Sequence, residues 1–207
     1  MRTVAVGALC GLAWACGLRG FMTQVTTGPS AVTWTGTFVL ILLPGLVVGL
    51  LLGLAEHLRR TTANPRGRLL VWSPFAFVAV LVVGLVQHGT ILQGGIGGGA
   101  LALPAFGVAG AYALAGRGRW ARLGCALLAL VPVPAWILAT SSFAGSSLSI
   151  THPKGAWVAV YFWSFLAVLM VATSVPLRIP PSRSAGSRDV LAGSAGHATG
   201  RTRAPGR

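Results

Sequence analysis

The side chains able to do chemistry are few. Glu56 and Asp189 are the only carboxylates in the 207 residues, and both fall on the cytoplasmic side of the topology derived below. No two of the four histidines share a metal-ligand spacing. His88 and His152 both fall on the external side, but two imidazoles without a third ligand do not make a zinc site. Ser146 and Ser147 lie close to His152, the residue types of a nucleophile and its base, yet nothing nearby supplies a group to orient the base. They read as loop residues.

The stretch 94–100, Gly-Gly-Ile-Gly-Gly-Gly-Ala, contains a GxGxxA pattern. A phosphate-binding turn of that type follows a strand and faces a cytosolic nucleotide, and neither is at hand, so a flexible external turn is expected. Cys10 and Cys16 are six apart on one apolar helix and point in different directions, and Cys125 falls at the opposite end of another span. All three read as small packing residues rather than a disulfide framework. No catalytic residue, cofactor or metal is implied, and the chain leans away from being an enzyme.

The chain that must position these residues is 54% hydrophobic and 9% charged, where an ordinary soluble domain carries about a quarter charged residues. Its formal charge of +14 could suit a nucleic-acid binder, but such a protein gathers its basic residues on one wet face. Here they sit between apolar runs, so no nucleic acid is expected. A helix needs about 20 apolar residues to cross the hydrocarbon. Uncharged intervals of 36 residues between Arg19 and Glu56, 48 between Arg68 and Arg117, 31 between Arg122 and Lys154, and 23 between Lys154 and Arg178 hold five crossings after a first one that contains Arg19. The expectation is an all-α polytopic membrane protein with six transmembrane helices at 4–22, 36–55, 69–87, 100–115, 123–143 and 157–177. The fourth is rich in Ala and Gly, so its insertion leans on packing against its neighbours.

Cytoplasmic loops retain Arg and Lys. With the N-terminus inside, 14 of the 16 basic residues are cytoplasmic; Lys154 is external and Arg19 lies within the first span. Both termini are therefore expected in the cytoplasm; the arginine-, alanine- and glycine-rich composition looks like that of a high-GC genome, and the expected location is a bacterial cytoplasmic membrane. Trp34 and Trp157 at outer edges, with Trp72 and Trp120 at inner ones, fit aromatic belts. Residues 1–177 form the six-span domain. Residues 178–207, with six arginines among Ser, Gly, Ala, Thr and Pro, are expected to be a disordered basic tail that retains the terminus inside or is drawn to anionic lipid. A competing reading takes Ala13, Trp14 and Ala15 before Cys16 as a cleavage site, which leaves five spans.

Within the spans, Gly7, Gly11, Ala15 and Arg19 recur every four residues, a stripe that lets another helix approach closely. Gly45, Gly49 and Gly53 repeat the pattern in the second span, and Ala105, Ala109 and Ala113 in the fourth. Either a neighbouring helix of the chain, a second copy or another membrane protein can use such faces. Arg19 either snorkels to outer-leaflet phosphates and caps carbonyl groups, or attracts anions in an outward cavity. Pro44 interrupts the second span and Pro132 and Pro134 the fifth, where kinks are expected. Matched interruptions in two three-helix halves are also what an inverted-repeat transporter carries. Glu56 and Arg60, four apart, predict a modest ion pair.

From Gly11 to Arg60 the chain resembles a group of uncharacterised multi-pass integral membrane proteins of the high-GC, actinobacterial type. The shared residues are Trp14, then Arg19, Phe21 and Met22, a short outer loop, and Trp34, Gly36 and Thr37 opening the second span. An acidic residue common in that outer loop, and a second basic residue after the methionine, are absent here. The resemblance implies a multi-pass fold and no activity. The primary functional expectation is a non-enzymatic accessory or assembly component whose partners are the lipid bilayer and, through its small-residue faces, other membrane helices. The alternative is a small-solute transporter or channel using kinked spans 2 and 5 with Arg19.

Overall fold

A computed structural model of the chain describes residues 2–26, 31–61, 65–78, 96–143 and 148–178. The described residues are helical with no strand. The second half of the expected third span, His88, Gly94, Gly95, Ser146, Ser147, Asp189 and the tail beyond Arg178 lie outside them.

The first helix, α1, runs Arg2–Val25. The second, α2, runs Trp34–Thr61, longer than expected at both ends. Its first part, Trp34–Leu42, is wound as a π-helix, and Leu43 N–H donates to the carbonyl of Phe38. Pro44 explains why the chain widens here. Proline offers no N–H, and its ring clashes with the carbonyl four residues back; a wider turn carries that carbonyl aside. The expected interruption at Pro44 takes this form.

Helix α3, Pro65–Val78, is wound as a 3-10 helix around Pro74, and Pro74 is among the fully buried side chains. Helix α4 is Ile96–Ala115. It begins inside the glycine-rich stretch, so residues 96–100 are the first turn of a helix and not the flexible turn the sequence suggested. Helices α5, Arg119–Leu130, and α6, Pro132–Phe143, are the two halves of the expected fifth span, broken at Val131. Pro132 occupies the first position of α6, where a missing N–H costs nothing. Helix α7 is Pro153–Ser174, continued by a short 3-10 turn, Val175–Leu177.

Four of these stretches are long and apolar enough to cross a membrane: Arg2–Val25, Trp34–Thr61, Arg119–Leu138 and Pro153–Leu177. Leu69–Val78 and Leu101–Ala115 are shorter apolar helices. Much of the apolar surface points outward, with Leu9, Val47, Leu127 and Val168 all exposed. A water-soluble monomer seldom leaves apolar surface this continuous uncovered.

Five helices close a ring. Helix α1 packs on α2, α2 on α3, α3 on α4, α4 on α7, and α7 back on α1. At its centre Leu18, Val48, Leu52, Phe77 and Phe165 form the core, with Trp14, Met22, Ile41 and Leu103 around it. Helices α5 and α6 stand outside the ring, α5 against α4 and α6 against α7. No residue of α5 is buried, whereas α2 buries Gly45, Val48, Gly49, Leu52, Gly53 and Ala55. The two proline-interrupted spans therefore have unequal places in the fold.

Helix directions follow from residue pairs. A Cβ built on Gly7 falls 2.8 Å from Gly53 Cα, and one on Gly11 falls 2.7 Å from Gly49 Cα, so α1 and α2 are antiparallel. Trp14 pairs with Phe165 and Phe21 with Phe162, while Gly17 accepts from Tyr161, so α7 also runs against α1. Gly107 meets Leu169 and Gly110 meets Met170, which sets α4 alongside α7 in the same direction. Arg2, Arg59, Arg60, the α4–α5 turn and Arg178 consequently share one end of the bundle, and Arg19 lies toward the other.

Candidate functional site

The small-residue stripes of α1 and α2 are opposite faces of one seam. Gly7, Gly11 and Ala15 lie against Gly53, Gly49 and Gly45 in that order, so closely that the backbones touch: a Cβ on Gly7 would stand 2.5 Å from Gly49 O, and one on Gly45 would strike the Ala15 Cβ. Glycine is required because nothing larger fits the approach. These six residues cover one another within the chain.

In α4 the packed face differs from the expected alanine stripe. Ala105 is exposed and Ala113 half-buried, while Gly107 and Gly110 take the side chains of Leu169 and Met170, with Ala111 and Pro104 fully buried beside them. Only Ala109 of the stripe is buried. The glycines mark the contact because their missing Cβ atoms make room for the bulky chains of α7.

Arg19 lies where the seam opens. Its Nη2 donates to the carbonyl of Ala31 at 2.7 Å and its Nε to Thr37 Oγ1 at 3.4 Å. Ala31 belongs to the segment entering α2, and Thr37, 7% exposed, sits in the π-turns. The guanidinium thus ties the end of α1 to the start of α2. Thr33 caps that start by accepting from Gly36 N–H at 3.1 Å, the ordinary job of a threonine before a helix. A Cβ on Gly36 would stand 2.7 Å from the Thr33 hydroxyl, which explains a glycine there.

Toward α7, Trp14 stacks on Phe165 with ring centroids 3.9 Å apart and donates its Nε1–H to the Phe165 carbonyl at 3.1 Å. One turn further, Tyr161 donates its hydroxyl to the Gly17 carbonyl at 2.7 Å. Both acceptors are helix carbonyls, whose second lone pair remains open after the intrahelical bond. Phe21 then stacks on Phe162, and Phe162 on Trp136 of α6. Most of the residues carrying the sequence resemblance therefore form a joint: Trp14 and Phe21 fasten α1 to α7, Arg19 and Thr37 fasten it to α2, Met22 packs on the core and Gly36 admits the Thr33 cap. Trp34, by contrast, is 80% exposed and meets Phe38 of its own helix.

No protein family, curated protein or solved structure matches the chain. The site must be read from its own geometry.

At the basic end, Glu56 accepts two hydrogen bonds from Arg59, at 2.7 and 2.8 Å, and one from Arg60. The i,i+4 partner was legible in the sequence; the i,i+3 partner makes the bidentate contact. Among the described residues no three of His, Cys, Asp and Glu come together as a metal cluster would. Cys10 and Cys16 are exposed on α1, and Cys125 is half-buried on α5.

Sequence reading missed the Trp14 and Tyr161 bonds, the Thr33 cap, and the buried prolines Pro74 and Pro104. Thr33 three residues before Gly36 at the edge of an apolar run was a usable capping signal. A polar-tipped aromatic inside a span was another, since its N–H or O–H needs an acceptor once buried.

Proposed function

We propose that this protein is a non-enzymatic accessory or assembly component of a bacterial cytoplasmic membrane, crossing it six times with both termini inside, and that it belongs with the multi-pass group whose residues Trp14, Arg19, Phe21, Met22, Trp34, Gly36 and Thr37 it shares. The observation carrying this reading is how three large polar-tipped side chains within α1 and α7 are used. Trp14, Arg19 and Tyr161 each bond a neighbouring helix or the segment leading into it. An intramembrane ionisable residue is a functional candidate by default. Here Arg19 holds α2 in place, which is architecture.

Support for the topology comes from the helix directions. They gather Arg2, Arg59, Arg60, Arg117, Arg119, Arg122 and Arg178 at one end, the distribution expected of a cytoplasmic face. A partner helix meets an outward apolar face, because the α1–α2 seam is filled from within. A transport reading would need spans 2 and 5 to share a path beside Arg19, whereas α2 lies within the ring and the fifth span outside it, α5 against α4 and α6 against α7, where its Trp136 fills the space beside Phe21.

The deciding experiment is affinity purification of the tagged full chain in mild detergent, with mass spectrometry against an unrelated six-span control. A stoichiometric membrane-protein partner supports the accessory role. A monodisperse protein without a partner, stabilised by a small solute, overturns it in favour of transport. Cysteine labelling in a Cys10→Ala, Cys16→Ala, Cys125→Ala background tests the topology: Thr151→Cys should react with an impermeant maleimide from outside intact cells, and Thr61→Cys only after permeabilisation.

A further inference from the structure

We propose that the turn between α4 and α5 is a binding site for the headgroup of an anionic phospholipid. The inference rests on the membrane reading above, with this turn at the inner leaflet. Two of the arginine groups at the basic end are treated differently by the fold. Arg59 and Arg60 are neutralised by Glu56. Arg117, Arg119 and Arg122 fall within six residues, are all exposed, and form no ion pair with any described residue. The only other carboxylate is Asp189, far along the tail. No described carboxylate neutralises them, and anionic lipid is the anion concentrated at that level of a membrane.

The turn is built rather than loose. Tyr112 donates its hydroxyl to the Arg117 carbonyl at 2.9 Å, and Gly116 N–H donates to the Tyr112 carbonyl at 2.7 Å. Gly118 takes a φ of +92°, a conformation costly for any residue with a Cβ. Arg122 donates from Nε to the Ala113 carbonyl at 3.0 Å. That bond holds the guanidinium against the end of α4 and leaves its two terminal nitrogens for an incoming phosphate, for which the planar fork is suited.

The surroundings suit a lipid better than a free anion. Trp120, between two of the arginines, is 86% exposed, as an indole anchored at the headgroup level would be. Directly beyond it Leu123, Leu127 and Leu130 are exposed, and Gly124 has no atom within 4 Å of where a Cβ would stand. Headgroup-binding charge and an apolar track for an acyl chain are therefore continuous along one helix.

The test uses the purified full chain in nanodiscs of phosphatidylcholine, with or without phosphatidylglycerol, read by native mass spectrometry of retained lipid and by hydrogen exchange across 112–122. The unaltered protein should retain phosphatidylglycerol selectively and exchange more slowly at the turn when it is present. Arg117→Gln with Arg119→Gln, which leaves the Arg122 bond intact, should weaken that retention roughly 25-fold, about fivefold per charge. Removing three tail charges, Arg201→Gln, Arg203→Gln and Arg207→Gln, should leave it unchanged. Equal loss from the tail variant, undiminished retention in the turn variant, or displacement by inorganic phosphate overturns the site. Failure of the protein to enter nanodiscs of either composition overturns the membrane reading itself, and the site with it.

Discussion

Gly11 and Gly49 meet backbone to backbone: a Cβ added to Gly49 would stand 2.7 Å from the Cα of Gly11. Such an approach leaves no compressible side chain to absorb an insertion, so one methyl group must push two helices apart. Gly49→Ala should lower stability by about 1–3 kcal/mol, the usual cost of overpacking, even though alanine is the better helix former. Gly124→Ala is the matched control, because nothing lies within 4 Å of its Cβ position, and helix propensity should give a gain of up to about 1 kcal/mol. Thermal unfolding in one detergent reads both. If Gly49→Ala melts no lower than the native chain, the α1–α2 seam is wrongly placed.

The Arg19 clamp predicts a local effect. Arg19→Ala removes the bonds to Ala31 and Thr37 and should destabilise by about 1–2 kcal/mol, in the range for hydrogen bonds to a charged donor. Hydrogen exchange should quicken at residues 31–38 and stay unchanged across α7. Arg19→Lys should recover little, since one ammonium cannot reach two acceptors in the geometry of a planar fork. Exchange that rises evenly over the whole chain would mean that Arg19 supports the bundle generally and does not anchor the entry to α2.

Between α1 and α7 the shape and the polar contact can be separated. Tyr161→Phe keeps the ring against Phe21 and deletes only the bond to the Gly17 carbonyl, so the loss should be about 1 kcal/mol. Trp14→Ala removes the stack on Phe165 as well as a hydrogen bond and should cost about 3–5 kcal/mol, as large aromatic truncations do. Denaturation in mixed detergent gives the two numbers, and their order is the prediction. A Tyr161→Phe loss as large as that of Trp14→Ala would show the hydroxyl to be essential to folding.

How much of this was legible follows from which physical signals are local. Uncharged intervals report apolar helices without tertiary information, and four of the expected spans, the first, second, fifth and sixth, are long and apolar enough to cross a membrane, whereas the described parts of the third and fourth are shorter apolar helices. Gly7, Gly11 and Ala15, and Gly45, Gly49 and Gly53, were visible as close-packing stripes because a four-residue repeat is a property of one helix. That they face each other was not visible, since pairing is a property of two. The same limit hid Gly107 and Gly110, whose partners Leu169 and Met170 lie on another helix, and it let the regular spacing of Ala105, Ala109 and Ala113 suggest the wrong face. The glycines at 97–99 read as a turn from their intrinsic preference, yet they open α4. Arg19 stood out as a charge in an apolar run, but its acceptors, a loop carbonyl and the Thr37 hydroxyl, appear only once α2 folds back.

The π-turns before Pro44 yield the most specific prediction, because they set the face on which Thr37 sits. A π-turn advances the chain by more residues per turn than an α-turn, so rewinding Trp34–Leu42 as α-helix would rotate its residues relative to α1. Pro44→Ala restores the missing N–H and removes the ring that clashes with the carbonyl of Leu40, which frees the segment to rewind. Thr37 should then turn away from Arg19 and their bond should be lost. In the native background Thr37→Val removes the hydroxyl that accepts from Arg19 and should cost about 0.5–1.5 kcal/mol. In the Pro44→Ala background the same change should cost almost nothing, because the bond is already gone. A double-mutant cycle measured by thermal unfolding reads the difference as a coupling energy between two residues that do not bond each other. Full additivity would mean that Pro44 does not maintain the wide turns, and that the register of Thr37 is held by the Thr33 cap and the Arg19 clamp alone.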